Sequence, residues 1–349
     1  MTRTRFSVSI ALAVAVLALW TTSCSSASDG DVTADGKTII RYQGSPASVQ
    51  WSELAESLGY YSKIKLKWLG DTTSGPQDIQ SVATGATDTG AAFNGSVAKL
   101  VHAGSKVTAV VSSQGSDDKT FFGYYSLAGS GINTARDLVG RKVGINTLGA
   151  YHEYTIKAWL QRQGVSAADI DKVNLTVVPP INTEAALRQR QIDVGNLGTV
   201  FKDVAVASGG LHEVFRDTSL VGNIAIATQV FRDDYIAEHP DAVADYVQGY
   251  ARAIRWAQLH PRQEVIDKFV SIISARGRNE DTKFVKTWKS AGVSVPGGVV
   301  APTEFSLWLD TLSRLGDLPF GIKAESLYTN RFNPYANGTY RATANEQGV

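Results

Sequence analysis

The chain has 349 residues, 43% of them hydrophobic and only 19% charged, against roughly 25% charged in an average globular protein. Lys and Arg number 34 against 33 Asp and Glu, and there is one Cys, which excludes a strongly basic nucleic-acid binder, an internal disulfide, a cysteine zinc site and a CxxC redox pair. The length exceeds the roughly 250–300 residues at which one core stops growing, so two lobes are expected in a large globular protein that handles something small.

Residues 1–23 read as a targeting segment. Arg3 and Arg5 precede an apolar run from Phe6 to Trp20, and Thr21, Thr22 and Ser23 then lead to Cys24. This layout resembles a bacterial lipoprotein signal, in which the thiol carries a palmitate-type diacylglycerol and becomes the new N-terminus. Thr21 stands where Leu is commonest in such signals. The run is short for a membrane span, which needs ~20 residues. Residues 24–36 are small, polar and acidic, and suit a flexible tether. Loss of Arg3 and Arg5 with the leader would turn the formal charge from +1 to about −1. A protein anchored by lipid at Cys24 on the extracytoplasmic face of the cell membrane is expected.

The body alternates β-rich and helical stretches. Strands are expected at 37–42, 63–68, 89–93 and 106–113, with helices at 49–58, 77–84 and 97–102 between them. In the second strand Ile64, Leu66 and Trp68 share one face. The pattern then restarts: a short helix at 133–138, a strand at 142–145, a helix at 151–163, a strand at 173–178, a helix at 183–190, a strand at 193–196 and a helix at 200–208. A helical tail follows, with segments near 240–260, 262–275, 281–289 and 302–315. The pattern implies an α/β fold of two lobes, each a mostly parallel sheet flanked by helices. Two β-rich crossings, 121–127 and 223–230, bracket the second unit. They divide the chain into one lobe of 37–123 plus 224–349 and another of 124–223, with a cleft that can close on a ligand.

Open α/β sheets bind ligands at the carboxyl ends of their strands, where helix starts offer unpaired N–H groups. Four loops fit that role: TTSGP with Ser74 and Gly75, FNGS with Phe93, Asn94, Gly95 and Ser96, TLGAY with Gly149, Ala150 and Tyr151, and the step through Gly198 to Thr199. Gln43, after the first strand, is a fifth candidate, and His152 stands beside Tyr151. Each loop taken alone is also ordinary helix capping; the repetition after successive strands is what points to binding. None of these loops holds Arg or Lys, which favours recognition by backbone amides and hydroxyls. Phe93, Tyr151 and Trp51 could wall an apolar site, while Trp51, Trp68, Trp159, Trp256, Trp288 and Trp308 occupy apolar positions of periodic segments and read as core. There is no nucleophile elbow, Walker loop, HExxH or GxGxxG, and the five His are scattered, so neither a catalytic set nor a metal site is expected.

Several short motifs together resemble the sulfonate/nitrate/taurine-type substrate-binding proteins of ABC transporters. They are Tyr42-Gln43, Ser74-Gly75-Pro76, the run from Ala83 to Gly90, the run from Asp137 to Gly144, Tyr151-His152, Val177 to Pro180, Ala185 to Val194 and His239 to Val243. The resemblance spans about 37–318. It implies a type II periplasmic-binding fold without a cofactor, a monomer that captures a small solute, by preference an anion such as an aliphatic sulfonate, and delivery to a permease and its ATPase. It also implies ligand contacts at Gln43, Ser74, Gly75, Asn94, Gly95, Ser96, Gly149, Ala150, Tyr151 and His152. Two segments depart from the family pattern: AAFNGS after Gly90, and Asn196 to Thr199, which lacks a W-x-P element. The alternatives are an enzyme on the same fold, of the pyrimidine-synthase or dehydratase kind, and a surface sensing lipoprotein that serves no transporter.

Overall fold

The computed structural model describes residues 32–339. The expected leader, Cys24 and the first part of the tether lie outside them; residues 33–36 form a turn in which Gly36 N–H donates to the Thr33 carbonyl at 2.9 Å. The first run is β1 (Thr38–Gly44), α1 (Trp51–Ser57), β2 (Ile64–Asp71), α2 (Gly75–Ala83), β3 (Thr89–Phe93), α3 (Asn94–His102) and β4 (Val107–Ser116). A crossing strand β5 (Phe122–Leu127) opens the second run: β6 (Lys142–Ile145), α4 (Tyr151–Arg162), α5 (Ala167–Ile170), β7 (Asn174–Val177), α6 (Thr183–Arg188), β8 (Val194–Gly198), α7 (Thr199–Ala207), β9 (Leu211–Arg216) and α8 (Thr218–Val221). The chain returns through β10 (Ile224–Arg232). It ends in α9 (Asp233–Glu238), α10 (Pro240–Leu259), α11 (Arg262–Ala275), α12 (Pro302–Arg314) and α13 (Pro334–Asn337).

The α/β class is as expected, and the strand directions refine it. Three sheets form, ordered β1-β2, β3-β10-β4 and β7-β6-β8-β5-β9. The pairs β1–β2, β6–β7 and β6–β8 are parallel, as the helical crossovers between them require. The expectation of mostly parallel sheets needs amendment at the two crossings: β5 and β10 are antiparallel to every neighbour. Each arrives from the other half of the molecule, so no helical crossover turns it to run with its neighbours. β10 is central to its sheet and β5 lies inside the five-stranded one, so both crossings are locked into ladders.

Apolar packing follows this partition except at the head of α4, where Tyr151 and Tyr154 join the cluster of Val97 and Trp308. One large cluster joins Ile40, Ile64, Tyr246 and Ile254, and another joins Val97, Val230, Phe305 and Trp308. The five-stranded sheet has its own clusters around Tyr124, Leu138, Trp159 and Phe215, and around Tyr125, Leu187 and Leu197. In the former, the Phe215 ring stacks between Trp159 at 4.0 Å and Tyr124 at 4.3 Å. Offset ring pairs of this kind add about 0.5–1.5 kcal/mol each beyond their burial.

Three sequence expectations change. Residues 281–289 are not a helix but a loop with a single 3-10 turn at Val285–Thr287; the stretch NEDTKFVKTWKS has no continuous apolar face to bury. Trp68 is not core. It is 40% exposed, its ring lies under the Arg278 guanidinium at 4.2 Å, and its Nε1–H donates to Asp71. Finally, α3 begins at Asn94 rather than 97, directly at the end of β3.

Candidate functional site

A cavity of about 380 Å³ opens between the two halves of the chain, within the roughly 300–1,000 Å³ range of small-molecule sites. Loops from both halves wall it. From the first come the loop after β1 (Ser45, Pro46, Ser48), the start of α1, the Thr72–Pro76 loop and the end of β3. From the second come Asn146, the start of α4, and the β8–α7 junction.

Ser74 caps α2, its Oγ accepting from Gln77 N–H at 3.4 Å, and Pro76 sits within the first turn. Gly75 lies so close to β3 that a Cβ there would stand 3.1 Å from Ala92 Cα. The same loop touches the second half: Asn146 Nδ2 donates to the Thr73 carbonyl at 3.1 Å, and Ser74 Oγ approaches Thr147 Oγ1 at 3.3 Å. A third link is Ser96 Oγ donating to the Gly149 carbonyl at 3.0 Å.

At the head of α4, Ala150, Tyr151 and His152 all line the cavity. Tyr151 Oη donates to Asp217 at 2.7 Å, and its ring meets Phe93 edge-on at 5.4 Å. His152 is buried against the Phe122 ring, 4.9 Å away, and burial pushes its imidazole down to about 3, so it is neutral at physiological pH. At the head of α7, Thr199 has φ +48°, a left-handed conformation that β-branched residues rarely adopt. The Phe122 ring lies against Gly198, where a Cβ would stand 2.1 Å from a ring carbon.

Of the residues expected to contact a ligand, the cavity brings together Ser74, Gly75, Phe93, Ala150, Tyr151, His152 and Thr199. The others stand behind the wall. Because α3 starts at Asn94, that side chain turns inward and donates to the Glu304 carbonyl, while Gly95 packs under the Phe93 ring and Ser96 holds Gly149. Gly149 N–H donates to Glu153, and the Gln43 carbonyl accepts from Gln50, leaving both one step removed from the cavity.

Sequence reasoning missed much of the wall: Asp78, Ser113, Asn146, Gln229, Tyr250 and Trp288. Asp78 carried a usable signal, since it stands four residues before Val82 on the buried face of α2, where an acid needs explaining. Its Oδ2 accepts from Ala91 N–H at 2.7 Å, and burial pushes its carboxyl up to about 7. Trp51 at the head of α1 and Trp288 in the loop after α11 also line the cavity. Among the described residues the wall contains no Lys or Arg, and no cluster of His, Cys, Asp or Glu could hold a metal ion.

Comparison with known proteins places this geometry. A protein of solved structure from Bordetella bronchiseptica RB50 superposes with a TM-score of 0.71 at 18% identity, over 87% of this chain and 98% of the other. The nitrate-binding protein NrtA from Synechocystis PCC 6803 gives 0.68 at 14% identity, over 89% and 91%. The alkanesulfonate-binding protein SsuA from Xanthomonas axonopodis pv. citri, bound to MOPS, gives 0.65 at 15% identity, over 84% and 98%. At such identities the likeness is one of fold, and the fold is that of periplasmic binding proteins. No curated protein matches the chain. The sequence model described as "NMT1/THI5 like" matches residues 53–264. That span reaches from α1 through the five-stranded sheet to the start of α11 and takes in most of the cavity wall, so the chain belongs to the NMT1/THI5-like family.

Proposed function

We propose that the protein is the extracytoplasmic solute-binding component of an ABC import system, capturing a small organic solute without turning it over. The observation that carries this reading is the cavity itself, walled by loops from both halves and bridged across its rim by side-chain hydrogen bonds. In this reading 37–123 plus 224–349 form one lobe, 124–223 form the other, and β5 and β10 are the hinge. Ser74, Gly75, Phe93, Ala150, Tyr151, His152 and Thr199 contact the solute directly. Gln43, Asn94, Gly95, Ser96 and Gly149 hold those contacts in place. The closed form, presenting both lobes at once, is what a permease and its ATPase would recognise, so solute binding biases a two-state equilibrium. The protein acts as a monomer tethered by lipid at Cys24, after removal of 1–23. Among the described residues no helix is long and apolar enough to cross a membrane.

Support for an anion such as an aliphatic sulfonate comes from the hydroxyls and amides at the cavity rim and from the names of similar structures. The wall chemistry weighs the other way, with no cationic side chain and one buried carboxyl. Thermal melts of the mature chain against sulfonates, nitrate, aromatic acids, amides and amines test the reading. A ligand at 100 times its Kd adds about 2.7 kcal/mol of stability, a clear rise in Tm. A chain whose Tm moves with no member of a broad solute panel is not a binding protein of this kind. Cys24→Ala should shift the protein from the membrane to the soluble fraction; retention at the membrane refutes the anchor.

A further inference from the structure

The turn after β1 puts Ser45, Pro46 and Ser48 on the cavity wall, and at its centre Ala47 is held at φ +55°. Where Pro leads a turn and the next residue takes a positive φ, that residue is usually Gly or Asn, because a Cβ crowds the backbone there. Ala47 departs from that preference, and its methyl makes a contact that Gly could not. It packs with Phe284 and with Val200, which stands at the head of α7 in the other half of the chain.

Ala alone does not favour this conformation, so the surroundings have to impose it. The restraint comes from the segment after α11. Glu280 Oε1 accepts from Ala47 N–H at 2.7 Å, across a separation of 233 residues. Arg276 grips both oxygens of Glu280, at 2.6 and 2.7 Å, and donates to the Ser48 carbonyl and to Glu53 at 2.8 Å each. The two side chains are 9% and 8% exposed, and a two-pronged pair of this kind is directional as well as strong. Glu53 in turn accepts from Gln50 N–H at 3.1 Å, which ties the turn to the head of α1. One buried pair therefore fixes Ala47 N–H and the Ser48 carbonyl, the backbone groups on either side of the strained residue.

We infer that Arg276 and Glu280 are a positioning pair for the solute: they hold the Ser45–Ser48 turn in the conformation that completes the cavity wall and sets the Ala47 methyl against Val200 across the cleft. This rests on the solute-binding reading above. A wall ordered in advance spares the solute the cost of ordering it on arrival. Without the pair, Ala47 relaxes to a negative φ, the turn leaves the wall, and binding has to draw it back.

Hydrogen exchange read by mass spectrometry, on the chain without solute, tests the positioning. Glu280→Ala should speed exchange in the peptide covering 45–50 at least tenfold and leave the β6–β8 ladder unchanged. Glu280→Gln, which keeps an acceptor for Ala47 N–H, should fall between. Gly adopts positive φ without help, so in an Ala47→Gly background the acceleration caused by Glu280→Ala should shrink at least threefold, a coupling that a double-mutant cycle isolates. Titration calorimetry with ethanesulfonate should then show affinity at least tenfold lower in Glu280→Ala than in the native chain. The inference is overturned if exchange at 45–50 ignores Glu280→Ala, or if the acceleration is the same in both backgrounds. Faster exchange with unchanged ethanesulfonate affinity also overturns it, since the pair would then support the fold and take no part in binding. If the native chain does not bind ethanesulfonate, the sulfonate assignment falls and the exchange cycle alone decides the pair. Should Glu280→Ala fail to fold, Glu280→Gln carries the same cycle with Ala47→Gly.

Discussion

At Thr199 a β-branched side chain is held at φ +48° on the cavity wall, and strain at such positions costs on the order of 1–3 kcal/mol. Asn tolerates that conformation better, so Thr199→Asn should raise Tm; a lowered Tm would mean that the methyl group packs better than the backbone is strained. Its neighbour Gly198 sits beneath the Phe122 ring. Gly198→Ala should destabilise by about 1–3 kcal/mol through overpacking, read as a lower urea midpoint. Titration is the third effect at this scale. Burial pushes Asp78 and Glu304 up to about 7, from 3.8 and 4.5, and His152 down to about 3, from 6.5. Between pH 4.5 and 6.5 the folded chain therefore holds extra protons on two carboxyls and lacks one on an imidazole. From 6.5 to about 7 only the carboxyls act. Stability falls with pH wherever the folded state binds more protons than the unfolded one, so Tm should decline from pH 5 to pH 7.5, and Asp78→Asn should flatten the decline. A Tm that rises over that range would show that these groups do not govern it.

Among elements, the strands and helices with strong periodicity were legible before any coordinates. β3 and β6 occupy the expected residues, and α10 and α11 nearly so. The short motifs that carry the family resemblance turn out to be joints. Asp88 accepts a two-pronged contact from the Arg41 guanidinium as well as its backbone N–H at 2.7 Å. Asp193 accepts from Lys142 N–H, and Asp137 closes a capping box on Thr134. Such motifs reveal topology because turns and caps demand particular residues locally. They reveal little of the cavity, whose wall includes Asn146, Gln229 and Trp288, brought together by long-range packing that no local spacing encodes. Asp217, just after β9, is a joint that local pattern did not flag. It accepts from Ser116 at the end of β4, Phe122 N–H at the start of β5 and Tyr151 at the head of α4. Asp217→Ala would leave those donors buried and unpaired, at a cost of about 3 kcal/mol or more. Chemical denaturation would measure it, and a loss below 1 kcal/mol would show that water replaces the carboxylate.

For the whole molecule, the two halves meet at the buried rings of Phe93, Tyr151, Tyr154 and Trp308 and along a rim of weaker links. Besides the bonds at Thr73 and Gly149, Lys289 pairs with Asp203 at 2.7 Å and Thr287 Oγ1 donates to the Val200 carbonyl at 3.2 Å. A small apolar cluster of Ala47, Val200 and Phe284 lies among them. Exposed ion pairs contribute about 0–1 kcal/mol, so these contacts decide posture more than stability. Asn146→Ala with Lys289→Ala should leave Tm nearly unchanged while enlarging the radius of gyration measured by small-angle X-ray scattering in the absence of solute. An unchanged radius would mean that the ring packing of Tyr151 and Tyr154 on Phe93 and Trp308 sets the posture of the halves.

That rim also has a consequence in time. Under the solute-binding reading proposed above, a solute held between the Thr73–Asn146 and Lys289–Asp203 links would leave as those links part. Departure is then paced by the protein and not by the solute's own contacts. Arrival is paced the same way: the observed association rate should climb with solute concentration and then level off at the frequency with which the rim parts. Loosening the rim would raise that plateau and shorten the solute's stay in equal measure, leaving occupancy little changed while setting how promptly cargo is handed on.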